Sequence, residues 1–270
     1  MPEILEPPSP YVEEREMATM GLLQHLEELR KRIMVSAAAV AVFFGLSWYK
    51  WQDIYRVMRK PIEQALAAHH MPTELTFLNP TDPFNLSVKI ALITAIFMAC
   101  PFLLYQVWMF ISPGLYRREK RFVLPFLLLS VSLFVGGGYF GYRIVFPVAL
   151  DFLIQTGAEA GMRPMITITE YTSLLLTILL GLALIFELPI VLGFAGLMGV
   201  VNAKFLFKHI RGATLIFFVI AAILTPTTDI MNMTIYAAPM IVLYLMSIVI
   251  VYFVHPKQRR KRREKNNPQA

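Results

Sequence analysis

The 270-residue chain is 57% apolar and 16% charged, against roughly 45–50% and about 25% in soluble globular domains, which excludes a single water-soluble core and calls for several membrane spans. Its net charge of +7 does not indicate nucleic acid, because Lys and Arg gather at the ends of apolar runs, where they act as topology signals facing anionic lipid. The lone cysteine, Cys100, lies in an apolar run; it excludes an intramolecular disulfide and reads as a small buried hydrophobe.

In chain order, residues 1–19 are acidic and proline-bearing, without an apolar core or a small-residue cleavage site. They read as a disordered tail and not a signal peptide, so the first span is expected to be uncleaved. His25 to Arg32 (HLEELRKR) reads as an amphipathic helix, with Leu22, Leu26 and Leu29 at near-helical spacing and Glu28, Lys31 and Arg32 on other faces. It leads into span one, Ile33 to Tyr49. Lys50 to Ser87 carries Pro61, Pro72, Pro80 and Pro83 and is too polar to span; it forms the first outer loop, with a short surface helix expected over Ile54 to Ala68.

Span two covers Leu86 to Ile111, with Lys89 near enough to its start to snorkel and Pro101 inside it as a source of bending. From Cys100 to Arg121 the chain reads CPFLLYQVWMFISPGLYRREKR. Here an uncharged helix leaves the hydrocarbon through an aromatic belt (Tyr105, Trp108, Phe110, Tyr116) into a cluster of Arg117, Arg118, Lys120 and Arg121 around Glu119. Span three is expected from Phe122 to about Phe152, longer than the roughly 20 residues a bilayer needs, so its outer end protrudes or tilts. A second outer loop follows, Asp151 to Glu170. Span four, Tyr171 to Val200, contains Glu187 and Pro189 and is expected to kink. Span five is brief, Gly212 to Thr225; span six, Met233 to Val254, follows a tight TPTTD turn and precedes a basic tail, residues 255–270.

Six spans place both termini on one side. Of the 25 Lys and Arg residues, 18 fall on that side and 7 on the other, so both termini are cytoplasmic. The reading is an all-α membrane protein of six transmembrane helices with two sizeable outer loops, in one membrane domain (residues 20–254) flanked by the two charged tails.

Few residues carry chemistry on their own. Glu119 among its basic neighbours reads as a solvated ion pair contributing roughly 0–1 kcal/mol, and Phe110 as an interfacial aromatic. Glu187 is the one acid deep in a span; a charge there costs at least about 2.5 kcal/mol, which makes it a functional candidate, while the plainer alternative is a hydrogen-bonded group pinning span four to its neighbours. Thr225 and Asn232 flank the turn between spans five and six, where lipid would leave polar groups unmet. His69 and His70 are adjacent and the five histidines show no metal-ligand spacing; no metal and no cofactor are expected. Gly136 to Gly138 read as a close helix contact and not a phosphate loop. No nucleotide motif is present, so energy must come from a partner or the membrane gradient, and no catalysed reaction is indicated.

The runs LYQVWMFISPGLYRREKR (104–121), HLEELRKR (25–32) and FELP (186–189), in this order, resemble the TatC family, the multi-spanning core subunit of the twin-arginine translocase. The likeness extends from about Met20 to Val254. It implies a receptor and scaffold in the bacterial cytoplasmic membrane that moves folded proteins across it using the proton gradient. It implies that Glu28, Phe110 and Glu119 form a cytoplasmic site reading the paired arginines of a signal peptide. The chemistry suits that role, since two separated carboxylates accept guanidinium forks bidentately and Lys offers no such fork. By the same likeness Glu187 faces the hollow side of the bundle, Thr225 and Asn232 dock single-span partners of the TatA and TatB type, Pro61 and Asp229 are structural residues of the outer loops, and the chain works as a homo-oligomer within a larger complex. Here Pro226-Thr227-Thr228-Asp229 stands where many relatives have two prolines before the acid, which leaves the register of Asp229 open by one residue. The alternative is a proton-coupled secondary transporter with Glu187 as the coupling acid; such proteins commonly show repeated halves, and no internal repeat is visible.

Overall fold

The structure is a computed structural model that describes residues 22–111, 123–162, 165–224 and 229–254. Helix α1 spans Leu22–Tyr49 without interruption. Nothing between Arg32 and Ile33 breaks a helix, so the amphipathic segment and the first span are one element of about 42 Å at 1.5 Å per residue, longer than the hydrocarbon core of about 30 Å. Leu26, Ile33, Met34, Val42 and Leu46 are each more than half exposed, as suits a helix that touches α4 (Asp82–Ile111) on one side and lipid on the rest.

The first outer loop holds two short helices and not the single one expected: α2 (Trp51–Met58) and α3 (Lys60–Ala68). Buried Pro61 sits in the first turn of α3 and has no N–H to return to the Val57 carbonyl, so a continuous helix is interrupted there. The carbonyls at the break are served from the bundle. Tyr142 donates its hydroxyl to the Val57 oxygen at 2.6 Å and Tyr171 donates to that of Met58 at 2.5 Å.

Span three is α5 (Val123–Phe140), a single π turn (Gly141–Val145) and α6 (Phe146–Glu159). It runs past Phe152, so most of the stretch expected as the second outer loop is helical. The polar residues there mark departure from the bilayer and not from the helix, because Ala149, Leu150 and Ile154 on α6 still bury against α3 and α7. The link that remains is short. Thr76 and Thr167 form an isolated parallel bridge, with Ile168 N–H to Thr76 O at 2.8 Å, which ties both outer segments together. Thr167 then caps α7 (Ile168–Ile185), its hydroxyl accepting from Glu170 N–H at 3.3 Å.

Span four breaks where expected, at Phe186 and Glu187, and resumes as α8 (Leu188–Leu197), with Pro189 in its first turn. A six-residue helix, α9 (Ala203–Lys208), lies in the following link, capped by Asn202, whose side chain accepts from Phe205 N–H at 2.8 Å. The short fifth span is α10 (Ile210–Leu224) and the sixth is α11 (Ile230–Val254). One apolar core fills the outer half, joining Ile62 and Leu66 to Phe146, Tyr171, Leu175, Leu182 and Tyr236. A second, around Phe217, Met240, Tyr244 and Val251, holds α9, α10 and α11 together.

Candidate functional site

At the cytoplasmic mouth α1 lies along the end of α4. His25, Glu28 and Arg32 recur at i, i+3 and i+7 and so share one face of α1, while Gln106 and Phe110 recur at i, i+4 on α4. These two stripes meet. The His25 ring stacks on Phe110 with centroids 4.3 Å apart and planes at 14°. One turn further in, Arg32 donates through Nη2 to Glu28 Oε1 at 3.1 Å and through Nη1 to Gln106 Oε1 at 2.9 Å. The two charged side chains are 26% and 19% exposed, and Gln106 is buried.

The arrangement is incomplete in a particular way. Glu28 Oε2 and Arg32 Nε are both buried and have no hydrogen-bond partner among the described residues. A carboxylate and a guanidinium normally close two parallel bonds; here each keeps one group unspent. Below them Trp108 wedges between Phe126 of α5 (centroids 5.7 Å) and Phe194 of α8 (5.1 Å), which fixes the end of α4 and therefore the place of Gln106 and Phe110.

Of the residues expected at this site, Glu28 lies on the same face of α1 as His25, which stacks on Phe110, and Glu119 lies outside the described residues. His25, Arg32 and Gln106 were not singled out by the sequence. The Glu28 to Arg32 spacing of four on a helix is the signal that could have found one of them; a lone amide in the uncharged end of span two could have drawn notice to Gln106.

Glu187 sits at the break between α7 and α8. Ser130 of α5 donates its hydroxyl to Glu187 Oε2, while Oε1 is buried without a partner among the described residues. This carboxyl is remote in sequence from the mouth and belongs to the interior, near the cluster of Cys100, Phe134 and Ala183. Pro61 is buried at the start of α3. Asp229 directly precedes α11, its carbonyl accepting from Met233 N–H at 3.0 Å. Thr225 lies outside the described residues, and Asn232 is placed in the first turn of α11.

Fold and site together define a polytopic helical membrane protein with a recessed carboxylate and an aromatic pair at its basic, cytoplasmic mouth. The family model for the Sec-independent protein translocase protein (TatC) matches residues 24–239, and the chain belongs to that family. It is 54% identical over 250 residues to the Sec-independent protein translocase protein TatC of Koribacter versatilis, covering 93% of this chain and 92% of that one. It is 37% identical over 240 residues to the TatC of Carboxydothermus hydrogenoformans, covering 88% and 96%. The crystal structure of a twin-arginine translocase receptor, TatC, superposes with a TM-score of 0.74 at 34% identity, covering 85% of this chain and 99% of that one.

Proposed function

We propose that this chain is the signal-peptide receptor and scaffold of a twin-arginine translocase in the bacterial cytoplasmic membrane, and that Glu28 and Phe110, with Glu119, receive the arginine pair and the apolar segment after it. The observation that carries the site is the unspent Oε2 of Glu28 beside the His25–Phe110 stack. It offers an acceptor for a guanidinium next to an aromatic surface for an apolar side chain. The chain needs no catalytic step for this; it binds, and assembles with single-span partners of the TatA and TatB type that dock near Thr225 and Asn232 as the proton gradient drives transport. The family placement favours this reading over a secondary transporter.

The test is binding of a synthetic peptide with two adjacent arginines and an apolar segment to the detergent-solubilised chain, against the same peptide with two lysines. The wild type prefers the arginine peptide, and Glu28→Gln loses most of that preference. A preference unchanged in Glu28→Gln removes this carboxylate from the site.

A further inference from the structure

We propose that Arg32 is a specificity-determining residue of this mouth: a resident guanidinium that an incoming arginine displaces from Glu28, with Gln106 as the perch that keeps it. The inference rests on the signal-peptide reading above and deepens it.

The bond pattern leads there. Arg32 does not fork onto Glu28; it splits its donors, one η N–H to Glu28 Oε1 at 3.1 Å and one to Gln106 Oε1 at 2.9 Å. Its Nε and the second oxygen of Glu28 are buried and have no partner among the described residues. An exposed i,i+4 pair whose only task was to support α1 would need no partner 74 residues away, and would not be held inside the protein. The split pair is half of a good salt bridge, so a ligand that brings both halves can replace it.

An arginine side chain brings both. Its planar fork fills Oε1 and Oε2 together, which Arg32 in its present pose does not. Arg32, once released, keeps a seat, because the Gln106 amide oxygen has two lone pairs and can take both donors. A lysine ammonium is a point charge that cannot close two parallel bonds; it does not displace Arg32, binds beside it and keeps the repulsion that an arginine relieves by displacement. The resident cation therefore sets a threshold that a guanidinium clears more readily than an ammonium. Specificity of this kind comes from an element that penalises the wrong ligand as well as from contacts to the right one.

The displacement makes two variants move in opposite directions, which a purely structural role for the cluster does not. With the full-length chain in detergent and the two peptides above as probes, Arg32→Gln leaves Glu28 unoccupied. Lysine-peptide affinity then rises about tenfold, arginine-peptide affinity rises less, and the preference shrinks. Arg32→Lys, which keeps the charge and the helix, shifts the preference the same way by a smaller factor. Gln106→Leu removes the perch, so Arg32 closes fully on Glu28 and arginine-peptide affinity falls about tenfold. Arg32 variants that weaken both peptides alike, or that leave their ratio unchanged, overturn the displacement. If instead Glu28→Gln retains the wild-type preference, the site reading itself is lost; a preference lost in Glu28→Gln but untouched in the Arg32 variants sinks the displacement alone.

Discussion

At the scale of single residues, the Ser130–Glu187 contact makes a prediction that separates a hydrogen-bonded pin from a charged group. Ser130 is fully packed and donates to the carboxyl across the α5–α7 interface. Glu187→Gln keeps an acceptor there and Glu187→Leu keeps none, so the leucine variant strands the hydroxyl and is expected to cost about 1–3 kcal/mol, the glutamine variant less. Adding Ser130→Ala to Glu187→Leu removes the stranded partner, and the double variant loses less stability than the sum of the two. Thermal unfolding of the wild type, the two Glu187 variants, Ser130→Ala and the double variant in one detergent measures this. Additive losses would show that the contact carries no coupling, and equal damage from Gln and Leu would shift the weight to proton exchange. The sequence picks out Glu187 because a lone acid in a span is conspicuous, yet nothing in it pairs that acid with a serine 57 positions earlier. The same limit holds at the mouth: Glu28 and Phe110 are visible one by one, but the stack through His25 and the perch on Gln106 exist only once α1 lies on α4.

At the scale of elements, the three consecutive glycines of α5 give an internally controlled experiment. A Cβ on Gly136 would meet nothing within 4 Å; on Gly137 it would lie 2.8 Å from the Leu182 carbonyl oxygen, and on Gly138 2.4 Å from the Phe97 ring. The backbone oxygen beside Gly137 belongs to the last full turn of α7 and cannot step aside, whereas a ring can repack. Gly137→Ala is therefore expected to lose about 1–3 kcal/mol, Gly138→Ala somewhat less, and Gly136→Ala nothing or a slight gain, since alanine is the better helix former. A uniform effect across the three would contradict the close approach of α5 to α7. Removing the Tyr171 hydroxyl tests another joint. Tyr171→Phe leaves the Met58 carbonyl without that donor, and faster hydrogen exchange is expected in α2 and α3 while the spans keep their protection. Most spans were legible as apolar runs with basic ends. The break at Arg59, the helix running on to Glu159 and α9 were not, because polarity reports the surface of the bilayer while helix ends depend on caps, proline registers and what lies alongside.

At the scale of the whole molecule, the asymmetry of 18 against 7 basic residues fixes the orientation, and a cysteine at exposed Phe205 should react only from the cytoplasm while one at Pro72 reacts only from outside; labelling of Pro72→Cys from the cytoplasm inverts the arrangement. In that frame α10 is the weak wall. Its 15 residues make about 22 Å of helix against a hydrocarbon core of about 30 Å, so the bilayer must thin beside it or another helix must cover it. Leu215, Ile216, Val219 and Ile223 are 67%, 58%, 53% and 77% exposed, and their spacing of one, three and four places them on a single face. Only Phe217 and Ala221 of this helix are buried. A single-span partner laid along that face would shield the short wall and bring its own backbone past the turn that Thr225 and Asn232 flank. Interhelical hydrogen bonds of this type contribute roughly 0.6–2 kcal/mol, a three- to thirty-fold bias in occupancy, so on the proposed docking the apolar face would supply contact area and Thr225 with Asn232 would select the partner. The expected outcome is that Ile223→Cys and Met233→Cys crosslink to the partner helix in membranes, and that Thr225→Val combined with Asn232→Leu lowers the yield within that range without changing how much chain is inserted. Crosslinks confined to α1 and α5, with α10 and α11 silent, would place the partner elsewhere on the bundle and leave the short wall to be met by a thinned bilayer alone.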